Sequence, residues 1–167
     1  MPVQRLNHAV LYVRDVERSL EHYRDALGFR IVHSIPGRAA FLQAPGSSND
    51  HDLGLFAIGD RAGDSAAGRA TVGLYHLAWE VDTLAELARL RRDLTGTGAL
   101  AGQSDHGTTK SLYTRDPDGI ESEICWIVPA ALLTPDIPFG TFPLDLDAEI
   151  ARYGAETRGG VGVSIPA

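Results

Sequence analysis

Three side chains far apart in the chain, His8, His76 and Glu123, sit in segments of matching local pattern. Together they make a donor set of two imidazoles and one carboxylate. Such a set covers one face of a divalent metal and leaves positions open. It suits oxygen chemistry on Fe(II) or Mn(II) and, less selectively, Lewis-acid chemistry on Zn(II) or Ni(II). A lone histidine in an apolar strand is ordinarily a hydrogen-bonded core or surface residue. Two at matching places, with an acid in a strand where burying it unpaired is costly, are harder to read as packing.

The elements that must position these residues repeat. Leu6 to Val13 is a β-branched and aromatic run, followed by Asp15 as a cap, Val16, Leu20, Tyr23 and Leu27 at helical spacing, and the stop Gly28. Leu74 to Val81 repeats the strand with its histidine in the same place. Asp82 or Thr83 then caps a helix, with Glu86 placed for a capping box and Leu84, Leu87, Leu90 and Leu94 as its apolar stripe. Short β-like stretches follow each helix: 30–34, 39–44 and 53–58 in the first half, 112–115 and 121–128 in the second. The order is βαβββ twice. Each half carries a Pro-containing turn, Ala44-Pro45-Gly46 and Asp116-Pro117-Asp118-Gly119.

Alternation along a strand puts His8 on a face with Leu6, Val10 and Tyr12, and His76 with Leu74, Ala78 and Glu80. Glu123 shares its face with Glu121 and Cys125. Tyr113 and Glu123 are equally far from Asp118, so a hairpin closing there sets the phenol opposite the carboxylate. Residues 58–72 read as a linker or mobile loop. Beyond Val128 the chain turns proline-rich, with a short helix over 144–150 and a glycine-rich end, too little to make a domain.

At 167 residues with 44% apolar content, the chain is long enough for one well-buried domain and short for two. A net charge of -7, with 22 acids against 15 Lys and Arg, argues against binding a phosphate backbone. Cys125 is the only cysteine, which excludes an intramolecular disulfide. With no charged and apolar leader pattern at the N-terminus and no apolar run of membrane-spanning length, a cytoplasmic protein without nucleic-acid or membrane partners is the expectation. An open sheet edge would need cover, from a homodimer or from the tail.

These segments resemble the vicinal oxygen chelate superfamily, which holds extradiol dioxygenases, glyoxalase I and fosfomycin and bleomycin resistance proteins. The match rests on Leu6-Asn7-His8-Ala9-Val10 through Leu27-Gly28-Phe29, on Gly73-Leu74-Tyr75-His76, and on Asp116-Pro117-Asp118-Gly119 leading to Glu123. The resemblance implies an α+β fold in which two βαβββ modules, about 5–60 and 72–128, form a U-shaped mixed sheet around a metal. It also implies one domain over 1–128, a C-terminal extension over 129–167, and His8, His76 and Glu123 as ligands.

Asp105-His106-Gly107, Ser111-Leu112-Tyr113 and Asn49-Asp50-His51-Asp52 resemble catechol 2,3-dioxygenase-like enzymes within that superfamily. The implied activity is Fe(II)-dependent extradiol cleavage of a catecholic compound by dioxygen. His51 would act as acid and base, Tyr113 would bond a substrate oxygen, and His106 would support it. His22 and His33 read as structural or solvent-facing. One rival is a glyoxalase-like isomerase or epimerase, which typically takes a fourth ligand, a Glu, from the last strand of the first module. Leu53 to Ile58 has none, but His51 aligns with Glu123 if the two turns are matched, so it is either a base or that fourth ligand. The other rival is a non-catalytic module binding an aromatic drug, a class that often lacks the triad. The chain departs from the family pattern at Ile120, where Asn is usual after the glycine, and in the long stretch between His51 and His76.

Overall fold

A computed structural model describes residues 2–67, 70–160 and 163–164. It divides into two compact units, Met1–Ala66 with Asp116–Gly119, and Ala67–Arg115 with Ile120–Ala167.

The first unit holds β1 (Ala9–Val13), α1 (Val16–Leu20), β2 (Arg30–Ile35), β3 (Ala39–Gln43) and β4 (Leu53–Ala57). Its sheet runs β1-β4-β3-β2, with β1 and β4 parallel and the other neighbours antiparallel. Asp15 starts the helix by accepting from the Arg18 N–H at 3.0 Å. Past Leu20 the helix widens into a π-turn, Glu21–Ala26, in which the Leu27 N–H reaches the His22 carbonyl, and it ends at Gly28 with φ +81°. Val16, Leu20 and Tyr23 are buried as their spacing implies, together with Leu11, Val13, Leu42, Leu53 and Leu55. His22 is buried as well, at 8% exposure, so of the two roles expected for it the structural one holds. His33 is exposed, stacked on Phe41.

The second unit repeats the plan with β5 (Leu77–Glu80), α2 (Leu84–Thr97), β6 (Leu100–Asp105), β7 (Thr109–Arg115) and β8 (Glu121–Ile127) in the order β5-β8-β7-β6, again with one parallel pair, β5 with β8. Thr83 caps α2 by accepting from the Glu86 N–H. Glu86 itself pairs with Arg89 instead of closing a capping box. Gly98, at φ +72°, ends the helix. Its four stripe leucines, Leu84, Leu87, Leu90 and Leu94, are at most 2% exposed, and each contributes roughly 1.5–3 kcal/mol by leaving water. They share the core with Leu112, Ile124, Trp126 and Val128. β6 has no counterpart among the stretches named from the sequence, because Leu100-Ala101-Gly102-Gln103-Ser104-Asp105 lacks β-branched and aromatic residues.

The extension belongs to this second unit. Its helix α3 (Leu146–Tyr153) starts at the cap Asp145, and Leu146 is fully buried. Lys110 of β7, 1% exposed, is gripped by Asp105 at 2.5 Å and by Glu149 of α3 at 2.9 Å, and faces the Tyr153 ring. Upstream of the helix, Phe142 and Asp105 exchange two backbone hydrogen bonds of 2.8 and 2.9 Å, which places the extension along the edge strand β6. Residues 68 and 69 of the expected linker, and most of the glycine-rich end, lie outside the described residues. Within the first unit Arg14 bonds Asp64, the Ala62 carbonyl and Asp118, so this part of the stretch is tied down. Those bonds, and the surrounding carboxylates, hold the Arg14 pKa above its ordinary value.

Candidate metal centre

His8 and His76 each stand immediately before a strand, β1 and β5 respectively, and not inside it as the sequence pattern suggests. Their equivalence survives this correction. The strand residues on the same alternation as each histidine are the exposed ones, Val10 and Tyr12 in β1, Ala78 and Glu80 in β5, while Leu11 and Val13 point to the core. In β8, Ser122, Ile124 and Trp126 are the buried alternation, and Glu121, Glu123 and Cys125 share the opposite face.

In the second unit His76 Nε2 lies 3.0 Å from Glu123 Oε2. That separation is what two donors at about 2.1 Å from one ion would show at a right angle, so the pair fits a divalent metal; it is also the length of a hydrogen bond from a protonated ring. The other carboxylate oxygen of Glu123 accepts from the Ser111 hydroxyl, which fixes the carboxylate's rotation. Ser111 enters the sequence reading only as part of a resembling segment, with no role of its own. The signal was there: it lies two residues from Tyr113 on the same strand face and diagonal to Glu123 in the hairpin. Tyr113 pairs directly with Glu123 in the register of β7 and β8, as their equal spacing from Asp118 requires. Its ring is 5.9 Å from that of His76, and its hydroxyl is 2.9 Å from His106 Nε2. Burial, with the Glu123 charge second, pushes the Tyr113 pKa up to about 12, so the residue is a neutral phenol. Cys125, on the same face, is also pushed up to about 12 by burial, which makes it an inert thiol.

In the first unit the rings of His8 and His51 stand 4.5 Å apart, with the Phe41 edge against His51. A polar knot holds the loop between β3 and β4. Asp52 accepts from the Ala44 N–H, the Ser47 hydroxyl and the Asn49 amide, and Asn49 also donates to the Asn7 carbonyl. The loop is thereby tied to the residue that precedes His8. His8 Nδ1 is 2.7 Å from Asn7 Oδ1 and His51 Nδ1 is 3.0 Å from Asp50 Oδ2, so both rings donate from Nδ1 and keep Nε2 available. Asp50 is held below the usual carboxylate range, first by the His51 backbone N–H and then by its ring.

Register decides which residue of the first unit corresponds to Glu123. β8 sets Glu123 beside Ala78, two residues after His76; β4 sets Gly54 beside Val10, two residues after His8. The counterpart of Glu123 is therefore Gly54. His51, three residues earlier, is not its equivalent, and matching the two turns misaligns the halves because the loop from Ala44 to Asp52 is longer than the turn at Asp116 to Gly119. Of the expected ligands, the first unit supplies His8 and the second His76 and Glu123. Among the described residues, no three His, Cys, Asp or Glu side chains form a metal-holding group within either unit.

The model of the Glyoxalase/Bleomycin resistance protein/Dioxygenase superfamily matches residues 5–124. A catechol-2,3-dioxygenase of Bacillus subtilis is 31% identical over 114 residues, 68% of this chain and 38% of that one, so the chain spans little more than a third of that relative's length. A lactoylglutathione lyase of Neisseria meningitidis is 29% identical over 122 residues, 71% of this chain and 88% of that one. Among solved structures, a glyoxylase/bleomycin resistance protein/dioxygenase domain from Frankia sp. EAN1pec superposes with a TM-score of 0.60 at 24% identity, covering 74% of this chain and 92% of that one. With a family match over most of its length and the duplicated βαβββ plan, the chain belongs to the glyoxalase/bleomycin resistance protein/dioxygenase superfamily.

Proposed function

We propose that the protein is an extradiol dioxygenase that opens a catecholic ring, with Fe(II) held by His8, His76 and Glu123 within one domain spanning 1–128. The observation that carries this reading is the glycine at position 54, where β4 would have to present a fourth ligand. A site with three protein donors keeps positions free for a bidentate diol and for dioxygen. Likeness to a catechol-2,3-dioxygenase supports the same conclusion. Bound Fe(II) would supply the electronic link between diol and dioxygen.

The chain's own groups handle placement and protons. His51, with Nδ1–H directed to Asp50 Oδ2 at 3.0 Å, presents Nε2 as the base for a diol proton and can return it later. Phe41, its ring centroid 5.2 Å from that of His51, gives that ring an apolar flank. Tyr113, a neutral phenol, bonds a substrate oxygen, and His106 holds the phenol.

Anaerobic loading with Fe(II), then a panel of catechols under air, should give the yellow ring-fission product. His51→Ala should keep the metal and lose turnover. The lyase relative, matched over 88% of its length, favours a second reading as a thiohemiacetal isomerase. Iron uptake without ring cleavage, together with Ni(II)- or Zn(II)-dependent turnover of a thiohemiacetal, would establish that reading instead. No metal uptake at all would sink both.

A further inference from the structure

The extension reaches the candidate site at one point. The Gly140 carbonyl oxygen lies 3.0 Å from His106 Nδ1, and His106 Nε2 lies 2.9 Å from the Tyr113 hydroxyl, all within the second unit. A carbonyl oxygen can only accept, so the proton on that side belongs to Nδ1. In the neutral ring the other nitrogen is then a bare acceptor, and the Tyr113 O–H supplies the proton between them.

The segment that carries Gly140 is docked on both sides of the contact. Phe142 and Asp105 exchange their two backbone hydrogen bonds on one side. On the other, Pro138 passes so close to Gly107 that a Cβ there would stand 1.9 Å from the Pro138 oxygen, and Gly107 has φ +80°. The side chain of Asp105 accepts from the Gly107 N–H at 2.7 Å and from Lys110, which fixes the turn presenting His106. Thr141 adds a hydroxyl 3.4 Å from Nδ1.

We propose that residues 140–142 hold His106 as its Nδ1–H tautomer and so commit the Tyr113 proton to His106, leaving Tyr113, whose oxygen also takes a hydrogen bond from the Ser104 side chain, to meet a substrate through its remaining lone pair. Gly140 is then a positioning residue, and the extension is part of the site. The substrate group facing Tyr113 is accordingly a donor, a hydroxyl and not a carbonyl. The last two statements rest on the ring-cleaving function proposed above; the tautomer does not.

Long-range proton–nitrogen NMR of the histidine rings in the full-length, metal-free protein tests this without any turnover. His106 is expected to be protonated at Nδ1 alone; a ring protonated at Nε2 alone would overturn the proposal. Tyr113→Phe should leave the tautomer unchanged, because Gly140 sets it. Phe142→Pro, which removes one N–H of the docking pair, should mix the two tautomers. Gly140→Ala should do the same by a different route, since its Cβ would meet the Phe142 ring at 2.8 Å. A tautomer that shifts in Tyr113→Phe and stays put in both extension variants would reject the extension's role. With a catechol substrate, Phe142→Pro should lower kcat roughly tenfold or more, in the range of outer-sphere partners, with a smaller change in KM. A wild-type protein that cleaves no catechol would defeat the proposed function and leave the tautomer to be decided by NMR.

Discussion

Ser111 and His22 show how much a single buried hydroxyl or imidazole does in this protein. Ser111 gives its proton to one oxygen of Glu123 and leaves the other oxygen facing His76. Ser111→Ala frees the carboxylate to rotate, and metal affinity measured by calorimetric titration should fall roughly tenfold or more, the usual effect of losing a ligand's hydrogen-bond partner. His22 is the opposite case, an imidazole whose burial pushes its pKa down to about 4. The unfolded chain takes up its proton near pH 6.5 and the folded one only near 4, so this contribution to stability is complete above pH 6.5 and is lost as the pH falls to 4. The full loss is about 3 kcal/mol, at roughly 1.4 kcal/mol per pKa unit. His22→Phe, keeping the edge contact with Tyr23, should flatten denaturant stability across that window.

The four buried leucines of helix α2 were legible, since a 3.6-residue period against one core face leaves little choice, while its cap was narrowed only to Asp82 or Thr83 and the capping box expected of Glu86 does not form. The pairing of Tyr113 with Glu123 was legible too, because a tight turn sets register by counting. β6 and the His51 alignment were not. A strand of small polar residues has no hydrophobic signature, and loops of unequal length defeat a match made on turn residues. Ion pairs between distant elements are equally silent in a sequence. Lys110 belongs to β7, yet its charge is balanced by Asp105 at the end of β6 and Glu149 on α3. Lys110→Met removes the one cation and leaves two largely buried carboxylates facing each other, which should cost about 3–5 kcal/mol in chemical denaturation.

At the scale of the whole molecule, the proposed ligands are drawn from both halves of a duplicated chain, one from the first and two from the second. A metal that binds them stabilises the folded state by mass action, and Zn(II) at about a hundred times its Kd should add roughly 2.7 kcal/mol. Hydrogen exchange should therefore slow at the start of both β1 and β5 on adding Zn(II), and in His8→Ala the protection at β5 should require more metal. Slowing confined to one half would show that the triad is not the site. The sequence-level repeat made the two histidine seats visible but left the asymmetry between Gly54 and Glu123 to be read from strand register.

The pairing of Phe142 with Asp105 bears on how this protein can be handled. β6 is the outer strand of its sheet, and an outer strand with free N–H and C=O groups is a template for unwanted association. A minimal version cut after Val128 would keep every proposed ligand and still strip that strand of its cover, along with both α3 and the Glu149 partner of Lys110. Such a truncation should drift toward oligomers and precipitate, whatever its catalytic residues, and the shortest practical expression boundary lies beyond Tyr153.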